Sequence, residues 1–315
     1  MIYCQRKNQK GFTLVELLVT LAIMLIVVAS LSSTFVFQQK TYNAQQQINE
    51  MVQNARAGMD LMSSEMMMTG YGVATDALPL SNWLTWGSVT FRNDPVVIED
   101  NVGDGPGGSN TTDIIHVAGC FDGHATTLSA AASAGDTTIT VADAGDFNTT
   151  TKSNICINGI ERAVVTAVSL NTLSIDTDPV TANDQGLLYS YPVQDPSGNP
   201  IDVPICVVKI ISYSIVQETD GGNTVYTLKR NENLGAGRQP LAENIIDMQV
   251  SSTVTEPATI NNSSQNLIIS WGIDPLTARS DKPDPDYSQN SGYRTYKLKS
   301  ILAPPNLKTR VDLVD

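Results

Sequence analysis

The chain has 315 residues, of which 41% are hydrophobic and 16% are charged, and its formal net charge at pH 7 is −13. Binding to nucleic acid depends on Lys and Arg to neutralise phosphates, so this acidic balance excludes nucleic acid as an expected partner and DNA uptake as an expected task. The acidity instead favours solubility.

The chain begins with a short basic segment that is followed by a long apolar run. Arg6, Lys7 and Lys10 precede Gly11, and the run Phe12–Phe37 contains a single formal charge. This run exceeds the roughly 20 residues that a helix needs to cross a bilayer. Since the basic residues precede the span, we expect them to stay in the cytoplasm and the rest of the chain to be exported.

The one charge within the apolar run is the carboxylate of Glu16. A carboxylate costs about 2.5–3.5 kcal/mol at the centre of a span and less near its end, and such residues usually have a function. A secretory signal would have a shorter apolar core and a small-residue cleavage site, for which Ala29–Ser33 is the candidate. A plain uncleaved anchor would have no use for Glu16, so the carboxylate argues for a third kind of segment.

The segment Gly11–Glu16 resembles the amino terminus of a type IV prepilin, with a glycine cleavage point, an aromatic first mature residue and a carboxylate inside the span. The resemblance implies that a prepilin peptidase cuts between Gly11 and Phe12 and that Phe12 is then methylated. It also implies that Glu16, about one helical turn further on, pairs with the amine of a neighbouring subunit and sets the axial register of a filament. A pairing of Glu16 with the amine of its own chain is the alternative.

The sequence predicts that the helix continues beyond the apolar run to about Met68. Neither Gly nor Pro occurs in Phe12–Gln53, and apolar residues then recur at spacings of three and four, with Gly58 as a weak point of about 1 kcal/mol. Gly70 and Gly72 predict the end of the helix. The apolar face consists of Ile48, Met51, Val52, Ala55, Met59, Met62 and Met66. We expect this face to pack against the chain's own sheet rather than to form a binding groove.

After Gly72 the composition shifts to β-branched residues separated by Gly, Pro, Asn and Asp, which predicts a strand-rich domain. The predicted strands are Val89–Phe91, Asp113–Val117, Ile205–Val216, Val225–Leu228, Met248–Val254, Leu267–Trp271 and Tyr293–Leu302. Asp220–Asn223 has the residue types of a hairpin turn. A long helix followed by antiparallel strands is an α+β organisation, and the resemblance implies the type IV pilin-like fold, in which the long amino-terminal helix packs on an antiparallel β-sheet.

The stretch between Cys120 and Cys206 has its own character and indicates a small all-β insertion. Its predicted strands are Thr137–Val141, Ile155–Ile157, Arg162–Val168 and Thr172–Ile175. We expect a leader at 1–11, a transmembrane or filament-core half of the helix at 12–37, an amphipathic half at 38–72, a pilin-like β domain at 73–125 and 187–315, and the insertion at 126–186. Val225–Arg230 and Pro240–Val250 are similar to the carboxyl-terminal half of PilW-like minor pilins.

Three cysteines lie in the part of the chain that we expect outside the cytoplasm, where disulfides persist. Only one intramolecular pair can form among Cys120, Cys156 and Cys206. A Cys120–Cys206 disulfide would close the base of the insertion, and Cys120–Cys156 is the alternative. We expect the remaining thiol to be buried or to pair with another subunit, whereas Cys4 belongs to the leader.

Some residue groups contain the types that bind metals or phosphates, but none has the pattern of such a site. They are His116, Cys120 and His124 with Asp113 and Asp122 nearby, Asp281, Asp284 and Asp286, and the glycine-rich Gly103–Gly108. The histidines lie in a predicted strand and in turns, and the aspartates lack the glycine and final glutamate of an EF-hand. The glycine-rich run lacks the ending of a phosphate loop and is interpreted as a flexible connector. We expect no metal, no cofactor and no enzymatic activity.

The resemblance implies a minor pilin of a type IV pilus, a noncatalytic subunit that helps to initiate pilus assembly. The implied partners are the prepilin peptidase, other minor pilins, the major pilin, the inner-membrane assembly platform and a tip adhesin. The implied location is the inner membrane, as a single-pass precursor with an exported carboxyl-terminal domain, and then the pilus at the cell surface. The alternatives are a minor pseudopilin of a type II secretion system and a tip adhesin that displays the β insertion.

Overall fold

The computed structural model describes residues 12–73, 85–86, 89–91, 95–178, 185–232, 237–254, 258–260, 263–265, 268–284 and 287–306. The predicted leader with Cys4 and Gly11 lies outside the described residues, and so does Asp286. The chain forms two compact units, Met1–Glu50 and Met51–Asp315.

A single long helix, α1, spans Leu14–Met66 and confirms that the helix continues beyond the apolar run. Turns follow it as far as Val73, and in them Gly70 and Gly72 have φ angles of 83° and 75°. Glycine has no Cβ and takes this left-handed conformation without strain, which makes it the usual residue after a helix end. Within the described residues, α1 is the helix that is long and apolar enough to cross a membrane.

The strands of the first half are β1 (Thr85–Trp86), β2 (Val89–Thr90), β3 (Val96–Gly105), β4 (Gly108–Gly119), β5 (Thr126–Thr127), β6 (Thr138–Thr140), β7 (Asn154–Ile157), β8 (Glu161–Ser169) and β9 (Thr172–Asp176). Those of the second half are β10 (Pro204–Val207), β11 (Lys209–Asp220), β12 (Asn223–Glu232), β13 (Arg238–Glu243), β14 (Ile245–Val254), β15 (Ala258–Ile260), β16 (Ser263–Gln265), β17 (Ile268–Arg279) and β18 (Thr295–Leu302). A short 3₁₀ turn, Asn290–Gly292, precedes β18.

These strands form antiparallel sheets. A five-stranded sheet has the order β13-β12-β11-β4-β3, a three-stranded sheet has the order β14-β17-β18, and a six-stranded sheet has the order β5-β10-β7-β8-β9-β6. The pairs β1-β2 and β15-β16 are separate. The predicted α+β fold, in which a long amino-terminal helix packs on antiparallel sheets, is confirmed.

The methionine face of α1 forms the main core together with the five-stranded and three-stranded sheets. Met62 and Met66 are completely buried in the same cluster as Tyr213 and Trp271. Gly58 lies at the closest approach, because an added Cβ there would sit 3.0 Å from Cδ2 of Leu228. Gly58 therefore allows the helix to pack closely against Leu228, a role that its sequence context did not reveal.

A polar anchor also holds the end of α1 to β12. The Nε and Nη2 atoms of Arg230 each lie 2.8 Å from a carboxylate oxygen of Glu65, and the hydroxyl of Tyr213 donates a further hydrogen bond to Glu65. The side chains of Glu65 and Arg230 are 19% and 11% exposed. Removing Arg230 would leave Glu65 as a poorly solvated charge, whereas Arg230 would keep Glu232 as a partner if Glu65 were removed. The contact therefore holds the end of α1 on the sheet.

The six-stranded sheet has a hydrophobic cluster of its own, distinct from the main core. Its strands are contributed by the predicted insertion and also by β10. Leu187, Tyr191 and Val203 are buried in the same cluster, although they lie beyond the predicted end of the insertion at residue 186. The chain adds β10 to this sheet before it continues into β11. Turn signals in the sequence do not show that β10 belongs to the insertion.

Two local predictions were wrong. The glycine-rich run Gly103–Gly108 is a hairpin turn rather than a flexible connector, since Gly105 of β3 pairs with Gly108 of β4. The predicted strand Ile205–Val216 is divided at Val208, with β10 in the six-stranded sheet and β11 in the five-stranded sheet. A change of sheet within one extended run leaves no mark in the alternation of apolar residues.

Candidate functional site

The amino-terminal end of α1 is closed by a reciprocal pair of side-chain contacts. Oε2 of Glu16 accepts hydrogen bonds from the backbone N–H of Thr13 at 2.9 Å and from its hydroxyl at 3.1 Å. The backbone N–H of Glu16 donates in turn to Oγ1 of Thr13 at 3.3 Å. This is a capping box, in which a threonine cap and a glutamate three residues later satisfy donors that the first helical turn leaves open.

The capping box gives Glu16 a partner within its own chain that the sequence interpretation missed. That interpretation considered an amine as the partner, either from the same chain or from a neighbouring subunit. The signal was present as the Thr-x-x-Glu spacing of Thr13 and Glu16. In the structure, both hydrogen bonds that Thr13 donates to the carboxylate go to Oε2, and no described residue donates to Oε1.

The helix that follows the cap presents an apolar surface. Phe12 is 83% exposed, and the large apolar side chains from Leu14 to Phe37 are exposed as well. Hydroxyl groups in this stretch donate back to helix carbonyls, as Thr20 does to Glu16 and Ser30 does to Ile26, each at 2.9 Å. A helix whose polar groups are satisfied internally suits a medium without water.

Cys120, Cys156 and Cys206 lie together. A disulfide joins Cys120, at the end of β4, to Cys206 of β10, with 5.8 Å between their Cα atoms. Cys156 lies outside this disulfide and is buried, directly opposite Cys206 in the β7–β10 pairing. Gly72 packs against the group, since an added Cβ there would lie 2.6 Å from Sγ of Cys120. The disulfide links the two ends of the six-stranded sheet unit.

Several of the residues of metal-binding types have protein partners. Nδ1 of His116 is 2.6 Å from Oγ of Ser212, and Nε2 is 2.9 Å from Glu99. Asp284 accepts hydrogen bonds from Arg294 at 2.8 and 3.0 Å. In the part of the chain that the structure describes, no three His, Cys, Asp or Glu residues are grouped closely enough to hold a metal ion.

The Ser212–His116–Glu99 row was not foreseen from the sequence, because it is assembled across three neighbouring strands. Burial lowers the pKa of His116 below its ordinary value, although the contact with Glu99 opposes this shift. Ser212 is only 4% exposed, so its hydroxyl is not open to a substrate. We interpret the row as a structural hydrogen-bond network.

Comparison with known proteins identifies the amino-terminal segment. Residues 6–32 match the family described as the prokaryotic N-terminal methylation motif. No curated protein and no solved structure matches the chain. The matched range contains Gly11, Phe12, the capping box and most of the apolar surface. The motif therefore indicates a type IV prepilin-like protein, whose long helix packs on antiparallel sheets in a pilin-like α+β fold.

Proposed function

We propose that this protein is a PilW-like minor pilin of a type IV pilus, a noncatalytic subunit that helps to initiate assembly. The observation that carries the proposal is the methylation motif at residues 6–32, joined to a capped apolar helix whose one formal charge between Phe12 and Phe37 is Glu16. The length of 315 residues and the additional six-stranded sheet favour a minor rather than a bulk subunit.

In this proposal the precursor is held in the inner membrane by the apolar half of α1, with its carboxyl-terminal domain exported. The prepilin peptidase cuts between Gly11 and Phe12, and Phe12 is methylated. The assembly platform then adds the mature chain to other minor pilins and the major pilin, so that it reaches the pilus at the cell surface.

The geometry of the cap supports a second task for Glu16 after cleavage. Oε2 is occupied by Thr13, which leaves Oε1 as an acceptor for the amine of a neighbouring subunit. An ammonium group and a carboxylate stabilise one another strongly when both are removed from water, provided that their geometry is good. The cap and the contact between subunits can therefore coexist on one carboxylate.

A tip adhesin is the second candidate, and it is favoured by one observation. The six-stranded sheet has its own core and begins and ends at neighbouring strands of the five-stranded sheet, since Gly119 of β4 pairs with Lys209 of β11. A module mounted in this way can carry a binding surface without contributing to the filament core.

Substitutions of Glu16 test the assembly role by separating charge from capping. Glutamine at the third helical position also completes a capping box, so Glu16→Gln keeps the cap and removes the charge. We expect Glu16→Gln and Glu16→Ala to accumulate in the membrane normally and to be recovered at least about tenfold less in sheared pili, since a buried amine would lack its counter-charge.

Glu50→Gln is the matched control, because Glu50 lies on the same helix outside the apolar run and its carboxylate contacts Gln46 at 2.9 Å. This control should enter pili as the wild type does. Normal recovery of Glu16→Gln together with loss of Glu16→Ala would assign Glu16 to the cap alone and remove the contact between subunits.

A further inference from the structure

A cavity of about 520 Å³ lies on the outer face of the three-stranded sheet. Its floor is formed by Asp247 of β14, Thr277 and Arg279 of β17 and Lys297 of β18, and Tyr293 forms part of the wall. The opposite face of the same strands packs into the main core. The cavity is therefore backed by a sheet whose other face is packed into the core.

The two cations of this cavity differ from two neighbouring basic residues. Arg294 and Lys299 form ion pairs with Asp284 and Asp274, whereas no described carboxylate lies within ion-pair distance of Arg279 or Lys297. The whole chain has a net charge of −13. Two cations left without carboxylates in a concave site of such a chain favour an anionic ligand.

Two buried polar atoms of the same floor also lack hydrogen-bond partners. Thr277 is 4% exposed, and neither its Oγ1 nor Nε of Arg279 has a partner among the described residues. Buried polar groups are almost always hydrogen-bonded, and leaving one unpaired costs about 1–3 kcal/mol. Arg279 is held in place by the ring of Tyr293, whose centroid lies 4.2 Å from Cζ. Arg279 is thus fixed at the cavity, while the two unpaired atoms lie beneath its surface.

The carboxylate of Asp247 restricts which anion fits. Its Oδ1 accepts a hydrogen bond from Nε2 of Gln249 at 2.8 Å, and it would repel a bare anion. The ligand must therefore bring a hydrogen-bond donor to this side of the cavity. We propose that the pocket binds a carboxylate accompanied by a hydrogen-bond donor, with the carboxylate at Arg279 and Lys297 and the donor at Asp247.

Two sources offer this chemistry, namely a free hydroxy acid and a glutamate residue in an extended peptide, whose backbone supplies the N–H group. Either fits a cavity of this size. Charge-assisted contacts to Arg and Lys would provide most of the affinity. This proposal goes beyond the assembly role and does not depend on it.

Ligand-observed NMR on the full mature chain in detergent tests the proposal. The probes are malate and its neutral diamide, and an end-blocked Gly-Glu-Gly tripeptide and its Gly-Gln-Gly counterpart. We expect millimolar binding of malate, of the glutamate tripeptide or of both, and none of the neutral probes. Arg279→Gln and Lys297→Gln should each weaken binding by about tenfold.

Lys299→Gln is the matched control, because it removes the same charge two residues from Lys297 but outside the cavity. It should leave binding unchanged. Since Lys297 is exposed, its variant keeps the test decisive even if Arg279→Gln misfolds.

Tighter binding of malate would identify a free hydroxy acid, and tighter binding of the tripeptide would identify a protein segment. Equal binding of the neutral probes, an equal loss in Lys299→Gln, or no binding at about 20 mM would overturn the proposal.

Discussion

Met62→Asp is expected to unfold the exported domain. Met62 lies on the face of α1 that packs against the sheets and is completely buried. Losing a buried methionine side chain costs about 2–5 kcal/mol, and the new carboxylate would have no partner in an apolar core. The sum is comparable with the total stability of a domain, about 5–15 kcal/mol. Thermal melting followed by circular dichroism should show no cooperative unfolding transition, because the domain is already unfolded at the starting temperature. The protein should also be degraded in cells.

Leu61→Asp provides the comparison. Leu61 is the preceding residue of the same helix but is 42% exposed, so its substitution should change the free energy of unfolding by no more than about 1 kcal/mol. A folded, abundant Met62→Asp protein, or equal damage from both substitutions, would show that the methionine face does not form the core described here.

Replacement of the six-stranded sheet by a tight turn is expected to leave the remaining domain folded. The chain enters this sheet after β4 and leaves it before β11, where Gly119 pairs with Lys209. Residues 121–207 can therefore be exchanged for Asn-Gly, a turn that joins adjacent antiparallel strands, with Cys120→Ser to remove the single thiol. We expect retained circular dichroism and protease resistance, because the tight turn itself holds together the ends of β4 and β11, close to which the disulfide links the full chain.

The matched control keeps the sheet and carries Cys120→Ser and Cys206→Ser, so that it shares the loss of the disulfide. Accumulation of the control together with degradation of the replacement protein would contradict the idea of a separable module. If both proteins accumulate, the pili of the two strains distinguish the candidate functions. Normal piliation with lost surface attachment favours the adhesin, whereas absent pili place assembly contacts in the six-stranded sheet.

The long helix could be predicted because its signals are local. The spacing of Met59, Met62 and Met66 predicts which face of the helix is buried. Gly70 and Gly72 predict where the helix ends. The Asp220–Asn223 turn was predictable for the same reason, because a two-residue turn between strands depends only on its own residues. These elements require no knowledge of what lies across the sheet.

The features that escaped prediction depend on contacts between distant segments. Gly58 looked like a weak point until Leu228 was placed against it. The six-stranded sheet extends past residue 186 because Val203 and other residues of the returning segment complete its core. The pocket around Thr277 and Arg279 brings together residues from separate strands. Thr13 is a different case. Its capping role could be predicted from the Thr-x-x-Glu spacing, but the sequence analysis considered only the charge of Glu16.

Mass spectrometry of the amino-terminal peptide, from protein isolated from its native host, shows whether the chain is processed as a prepilin. We expect the mature chain to lack residues 1–11 and to begin with methylated Phe12. A peptide that begins at Met1, or one produced by cleavage near Ala29–Ser33, would contradict it, because the chain would then be a plain anchor or a secreted protein.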